Sequence, residues 1–126
     1  MTRKLVVTIT AVIFFLVAAT WLVSPTTFYS LFFGIQTNTE LDYMARRYGV
    51  DIFALGVGLF LARDHVNSPA GKALMTGGFV AVLLTALASL YGALALGLPA
   101  WFGFGGELAA ALLMGWGRFV SKEAWS

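Results

Sequence analysis

Two carboxylates, Asp51 and Glu107, interrupt stretches that are otherwise apolar enough to be membrane-spanning helices. At ~1.5 Å of rise per residue, Asp51 lies about 18 Å from Arg63, the basic residue closing its stretch, and Glu107 about 17 Å from Arg118. Both therefore fall near the middle of a hydrocarbon layer about 30 Å thick. An ionisable group at that depth costs roughly 2.5–3.5 kcal/mol on insertion scales, so a partner or a task is expected for each. The chemistry open to such a pair is proton exchange, acid–base work or the holding of a ligand.

Arg47 and Asp51 are four residues apart and share a helix face, which Ala54, Gly58 and Ala62 continue. Small residues let helices approach closely, so this face is expected to point into a bundle, with Asp51 buried and paired with Arg47. Gly103, Glu107, Ala111 and Gly115 make a second stripe of the same kind. If the two helices adjoin, both carboxylates share one dry space with Arg47 and Arg46 as counter-charges. Glu107 is then expected to carry a proton at neutral pH, hydrogen-bonded to Asp51, Thr85 or a backbone carbonyl. Thr85 lies about 20 Å above Lys72, near the same level, and shares its stripe with Ala81 and Ser89. The candidate site is thus Asp51, Glu107, Arg47 and Thr85, rimmed by Arg46, Tyr48, Ser89 and Tyr91. The plainer reading stands beside it: an ion pair that orients a helix, hydroxyls bonded to their own helix, and tyrosines anchored at an interface.

Other chemistries lack their parts. His65 is the only histidine, beside Asp64 in a polar loop, and no ligand spacing for a metal accompanies it. No cysteine is present, so thiol catalysis and thiolate metal sites are excluded. Gly56-x-Gly58 lies inside an apolar helix and follows no strand, unlike a nucleotide fingerprint. No cofactor is expected. The net charge of +2 is spread along the chain, whereas nucleic-acid binding needs a basic patch.

The elements that must position these residues are four apolar stretches, Leu5–Val23, Tyr43–Ala62, Ala73–Leu96 and Ala100–Val120. Each reaches the ~20 residues needed to span a bilayer, and backbone groups in lipid must bond internally, as in a helix. The chain is 60% hydrophobic and 11% charged, against about 25% charged in water-soluble domains. The fold expected is all-α: one transmembrane four-helix domain over 1–126. The apolar run after Arg3 and Lys4 is longer than the ~7–15 residues of a signal core, so it reads as a retained helix. With the N-terminus inside, Arg3, Lys4, Arg63, Lys72, Arg118 and Lys122 are cytoplasmic and only Arg46 and Arg47 are outside, which sets both termini in the cytoplasm. Ser24-Pro25 followed by Gly34 brackets a short aromatic helix, Phe28 to Phe33, expected to rest in the outer interface. Thr39 and Asp42 resemble a capping box for the next helix. An outer turn is expected near Gly97-Leu98-Pro99. Trp21 and Trp101 mark the outer boundary, and Trp116 and Trp125 lie nearer the inner one.

This plan, together with Ala45-Arg46-Arg47-Tyr48-Gly49 running into Leu55-Gly56-Val57-Gly58-Leu59-Phe60, resembles the DoxX-like group of small bacterial four-helix membrane proteins. The resemblance implies a bundle in the bacterial inner membrane, sometimes an accessory subunit of a redox enzyme, and carries over no catalytic residue. The small multidrug transporters match in size and helix count only, because their coupling glutamate sits on the first helix and Leu5–Val23 has no acidic residue. The leading expectation is a non-catalytic binding or accessory protein. Its partners are the lipid bilayer and another membrane protein or further copies of itself, or it holds a lipophilic small molecule around Asp51 and Glu107. The alternatives are a proton-coupled carrier using those carboxyls and, behind it, a lipid-modifying enzyme.

Overall fold

The computed structural model describes residues 1–126 and is all-helical. Helix α1 (Arg3–Val23) starts at Thr2, whose hydroxyl accepts from the Leu5 N–H at 3.2 Å. The short helix α2 (Pro25–Phe33) has proline in its first turn and ends at Gly34, in the left-handed conformation with φ of 61°. Ser24, at its start, spends its hydroxyl on Thr27 Oγ1 (2.7 Å) and not on a backbone N–H. The next helix, α3 (Thr39–Ala62), is capped by Asn38, whose side-chain oxygen accepts from Leu41 N–H at 2.9 Å. The Thr39 capping box is thereby corrected: the cap lies one residue earlier, and Glu40 and Asp42 sit in the first turn, where the positive helix end favours them.

A 3₁₀ turn (Arg63–His65) leads to α4 (Pro69–Ala95). Ser68 caps α4 through Gly71 N–H at 3.1 Å, so this helix starts one turn before the expected apolar stretch. The Ser68-Pro69 pair repeats the cap-then-proline signal of Ser24-Pro25. After a turn at Gly97 (φ 66°), α5 (Trp101–Gly115) passes into one wider π turn, Trp116–Val120.

Of these helices, α1 and α4 are long and apolar enough to cross a membrane. The charges Arg46, Arg47 and Asp51 interrupt α3, and the α-helical part of α5 has only 15 residues. The two extensive helix interfaces are α1 along α3 and α4 along α5, and α1 also meets α5. One end of the molecule gathers both termini and the 63–68 connection. At the opposite end α2 lies over α5, α1 and α3. The main core, Val6, Val7, Ala11, Leu59, Val66, Met75 and Met114, sits toward the end with the termini, and a smaller one, Val82, Ala110 and Ala111, lies between α4 and α5.

The face of α3 that meets α1 is Ala45, Gly49, Gly56 and Leu59. Phe14 and Phe15 press into the notch at Gly56, and Trp21 and Leu22 into that at Gly49. The opposite face, with Arg47, Asp51, Ala54 and Gly58, is exposed. The expected inward stripe of α3 therefore points outward. Both stripes offer small residues at helical spacing, and the bulky side chains of α1 fit the one without charges.

Candidate functional site

Asp51 and Arg47 are both exposed on the outer face of α3, and neither takes part in an ion pair; the only pairs formed are Lys4–Asp64 and Arg63–Asp64. The expected buried Arg47–Asp51 pair is not formed. Within one helix, an acid preceding a base by four residues is the better order, and here the base comes first. Thr85 is also exposed, and its hydroxyl donates to Ala81 O on its own helix at 2.9 Å. That is the plain role of a helical threonine rather than the lining of a cavity.

Glu107 does point inward. Its stripe neighbours Gly103 and Ala111 are buried, and the buried Ser89 of α4 lies near the Glu107 carboxyl. Oε2 of Glu107 is enclosed with no hydrogen-bond partner. The structure thus places Glu107 near Ser89 at the α4–α5 interface and leaves Asp51 on the outside of α3. The shared two-carboxylate space expected from matching depths does not form, because depth along a helix does not specify direction around it.

At the α2 end, Trp21 packs on Phe28 (centroids 4.3 Å apart) and takes the edge of Tyr48 at 6.0 Å. Phe28 stacks on Phe32 at 4.4 Å, and Phe32 meets Phe102 of α5 at 5.2 Å. Burial, then the Asp42 carboxylate and Tyr48, hold the Tyr29 hydroxyl above the usual tyrosine range. Arg46 donates to Leu22 O, tying α3 to the end of α1. Tyr48 and Arg46 are therefore packing and tethering groups, whereas Tyr91 is exposed on α4.

The most densely bonded polar centre is one that sequence reasoning missed. Arg3, 1% exposed, donates from Nε to Gly117 O (2.9 Å) and from its terminal nitrogens to Asn67 Oδ1 (3.0 Å), Ala124 O (3.4 Å) and Ser121 O (3.2 Å). Its guanidinium lies 3.7 Å over the Trp125 ring, and its backbone N–H donates to Glu123 Oε2 at 2.6 Å. The N-terminus, the 63–68 connection and the C-terminal tail are thus tied to one side chain. The π turn helps: its wider winding pairs Ser121 N–H with Trp116 O and leaves the Gly117 carbonyl for Arg3. As sequence, Arg3 is only a basic residue ahead of an apolar run, and no local pattern joins it to residues more than a hundred positions away.

No family model, curated protein or solved structure matches the chain.

No three His, Asp or Glu side chains converge as metal ligands. His65 is exposed in the 3₁₀ turn, where its carbonyl accepts from Ser68 Oγ at 2.7 Å. A surface depression of about 570 Å³ is lined by Met1, Trp116, Val120, Ser121, Lys122 and Glu123, with neither Asp51 nor Glu107 in it. At the same end of the molecule, Lys4 Nζ pairs with Asp64 Oδ1 at 2.5 Å. The hydrogen bond from Lys4 pulls the exposed Asp64 carboxyl below the usual aspartate range against slight desolvation, and Lys4, Arg63 and His65 add favourable charge. A carboxyl lowered on folding stabilises above its unfolded pKa of about 3.9 and loses that contribution as pH falls through the folded value. Wild-type protein should therefore melt slightly above Asp64→Asn at pH 6, with the gap narrowing as the pH is taken below the unfolded value. A gap that persists at low pH would assign the effect to something other than this ion pair.

Proposed function

We propose that the chain is an integral membrane four-helix bundle with both termini in the cytoplasm, and that it works by docking on another membrane-embedded helix. It catalyses no reaction of its own in this reading. Its surface supports the membrane part: 25 of 126 residues are buried, while Leu16, Leu61, Leu84, Leu94 and Leu112 are 60–68% exposed on several sides. Water would not tolerate so much uncovered leucine, and hydrocarbon does. The basic residues near the end with the termini agree with the positive-inside bias.

The observation that carries the docking part is the outer face of α3. Arg47 and Asp51 stand there unpaired, above Ala54 and Gly58, and a charge turned toward lipid near the middle of a span costs roughly 2.5–3.5 kcal/mol. A second helix lying on this face would pair the charges and use the small residues as its contact surface. The DoxX-like resemblance, with its accessory subunits, fits such a role. A proton carrier or a lipid-modifying enzyme would use Asp51 and Glu107 together, and the outward position of Asp51 favours docking over both.

The lack of native cysteine permits a clean test. Single-cysteine variants at Gln36 and Ser126, expressed in a bacterial inner membrane, should divide by side. An impermeant thiol reagent added to intact spheroplasts should label position 36 and spare 126. Native mass measurement in mild detergent should find the 13.5 kDa chain within a larger assembly. Release of the protein by alkaline carbonate would sink the membrane reading, and a purely monomeric chain would sink the docking reading.

A further inference from the structure

We infer that the cytoplasmic end of the α4–α5 pair binds an anionic phospholipid, with its phosphate held by Lys72 and Arg118 beside Trp125 and an acyl chain lying over Phe79 and Phe119. The inference rests on the membrane reading above and is independent of the docking of another helix. Lys72, Thr76 and Phe79 follow one another at spacings of four and three, so they climb one face of α4. The Thr76 hydroxyl donates to Lys72 O at 2.8 Å and accepts from Arg118 Nε at 2.7 Å. That bond sets the Arg118 guanidinium against α4, and nothing in the chain accepts from its terminal nitrogens. Neither Arg118 nor the exposed Lys72 forms an ion pair. The Trp125 ring gathers both: its centroid is 5.6 Å from Arg118 Cζ and 5.8 Å from Lys72 Nζ, with Arg3 Cζ at 3.7 Å.

Three cations thus converge on one ring. The guanidinium of Arg3 bonds only neutral oxygens, and Glu123 accepts from the Arg3 backbone N–H instead. Like charges held together repel, and an anion placed among them relieves that repulsion. A phosphodiester suits the place, since a forked guanidinium and a mobile ammonium both donate to its oxygens. The other cations at this end are differently placed: Lys4 and Arg63 already share Asp64. What stands above the charges identifies the anion as a lipid. Phe79 lies about 10 Å further along α4 than Lys72. The headgroup layer is only about 5–7 Å deep, so with Lys72 at phosphate level Phe79 is already in hydrocarbon. There Phe79 takes the edge of Phe119 at 5.4 Å, and Phe119 is 60% exposed. The Arg118 guanidinium, 4.8 Å from the Phe119 ring, marks the border between the two zones. Charge below and uncovered aromatic surface above match the order of headgroup and chain in one lipid, whereas a free phosphate would use the lower half alone.

The test is lipid retention in native mass measurement, with phosphatidylglycerol or phosphatidylcholine added at equal concentration to the full chain in mild detergent. The wild-type chain should keep phosphatidylglycerol and lose phosphatidylcholine, and only phosphatidylglycerol should raise its melting temperature. Lys72→Gln and Arg118→Gln should each weaken retention about fivefold, and the double variant about twenty-five-fold, the effect expected of basic residues beside an anionic headgroup. Arg63→Gln removes one positive charge from the same end, where Asp64 already offsets it, and should change retention less than about twofold. Lys72 is exposed and bonds nothing through its side chain, so Lys72→Gln reports even where Arg118→Gln fails to accumulate. Inorganic phosphate in excess should not displace the lipid. Displacement by phosphate would assign the site to a soluble anion, and equal retention of the two lipids would show no headgroup site. Either result, or an equal loss from Arg63→Gln, would overturn the inference. A carbonate-resistant protein that keeps no lipid would strike this inference alone, whereas release by carbonate would remove the membrane reading with it.

Discussion

Arg3→Ala should lower the stability of the protein by about 3–5 kcal/mol, the largest loss expected from any single substitution described for this chain. The alanine removes four guanidinium hydrogen bonds and the contact with Trp125, and it leaves the Gly117 carbonyl buried without a donor. A buried carbonyl left unsatisfied exacts its full desolvation cost, which is why the effect exceeds that of deleting an exposed arginine. The fall in melting temperature in detergent should be on the order of 10 °C. The C-terminal residues from Ser121 should become open to carboxypeptidase, because Arg3 supplies much of what holds them to the bundle. Arg3→Lys keeps the charge yet cannot reach several carbonyls as a planar fork, so it should recover less than half of the lost stability. A fully stable Arg3→Ala protein with a protected tail would show that the tail is held by Trp125 packing, by Ser126 N–H on Asn67 O and by the backbone N–H of residue 3 on Glu123 without the guanidinium.

Gly71→Ala should cost about 2–4 kcal/mol, although alanine is the better helix former. A Cβ at this position would collide with the backbone of Val66, including its carbonyl oxygen. Backbone cannot rotate aside as a side chain can. The 63–68 connection would have to shift, pulling Ser68 Oγ away from Gly71 N–H and loosening the α4 cap. Gly77→Ala is the control on the same helix: a Cβ there meets nothing within 4 Å, and relief of glycine's backbone entropy should add up to about 1 kcal/mol of stability. Opposite signs in the two melting temperatures would confirm that the steric contact decides. If both substitutions stabilise, the turn at Val66 is more yielding than its geometry implies.

Both residues lie in a part of the chain where sequence has little to show. Gly71 reads there as one more residue in a short polar connection, and Arg3 as a charge that orients the first helix. Glu107 is different. Its placement among Gly103, Ala111 and Gly115 points inward, and inward is where it lies, next to Ser89. For Asp51 the same argument picks the wrong side, because α3 carries two small-residue stripes on opposite faces. Ala45, Gly49 and Gly56 make one, and Asp51, Ala54 and Gly58 the other.

Whatever acts over a few residues is legible in the chain before it folds. The helices, the proline after Ser24, the stop at Gly34 and the turn at Gly97 all belong here, since caps, proline and left-handed glycine work within one turn of the chain. The all-helical class follows from long apolar runs with no alternation. The choice among equivalent faces and the joining of distant ends belong instead to packing. Periodicity places residues around a helix but leaves its rotation open, and Phe14, Phe15, Trp21 and Leu22 of α1 fix that rotation by filling the glycine notches of α3. The same packing brings the two ends of the chain together and lets one arginine bind both, a contact that local energetics could not encode.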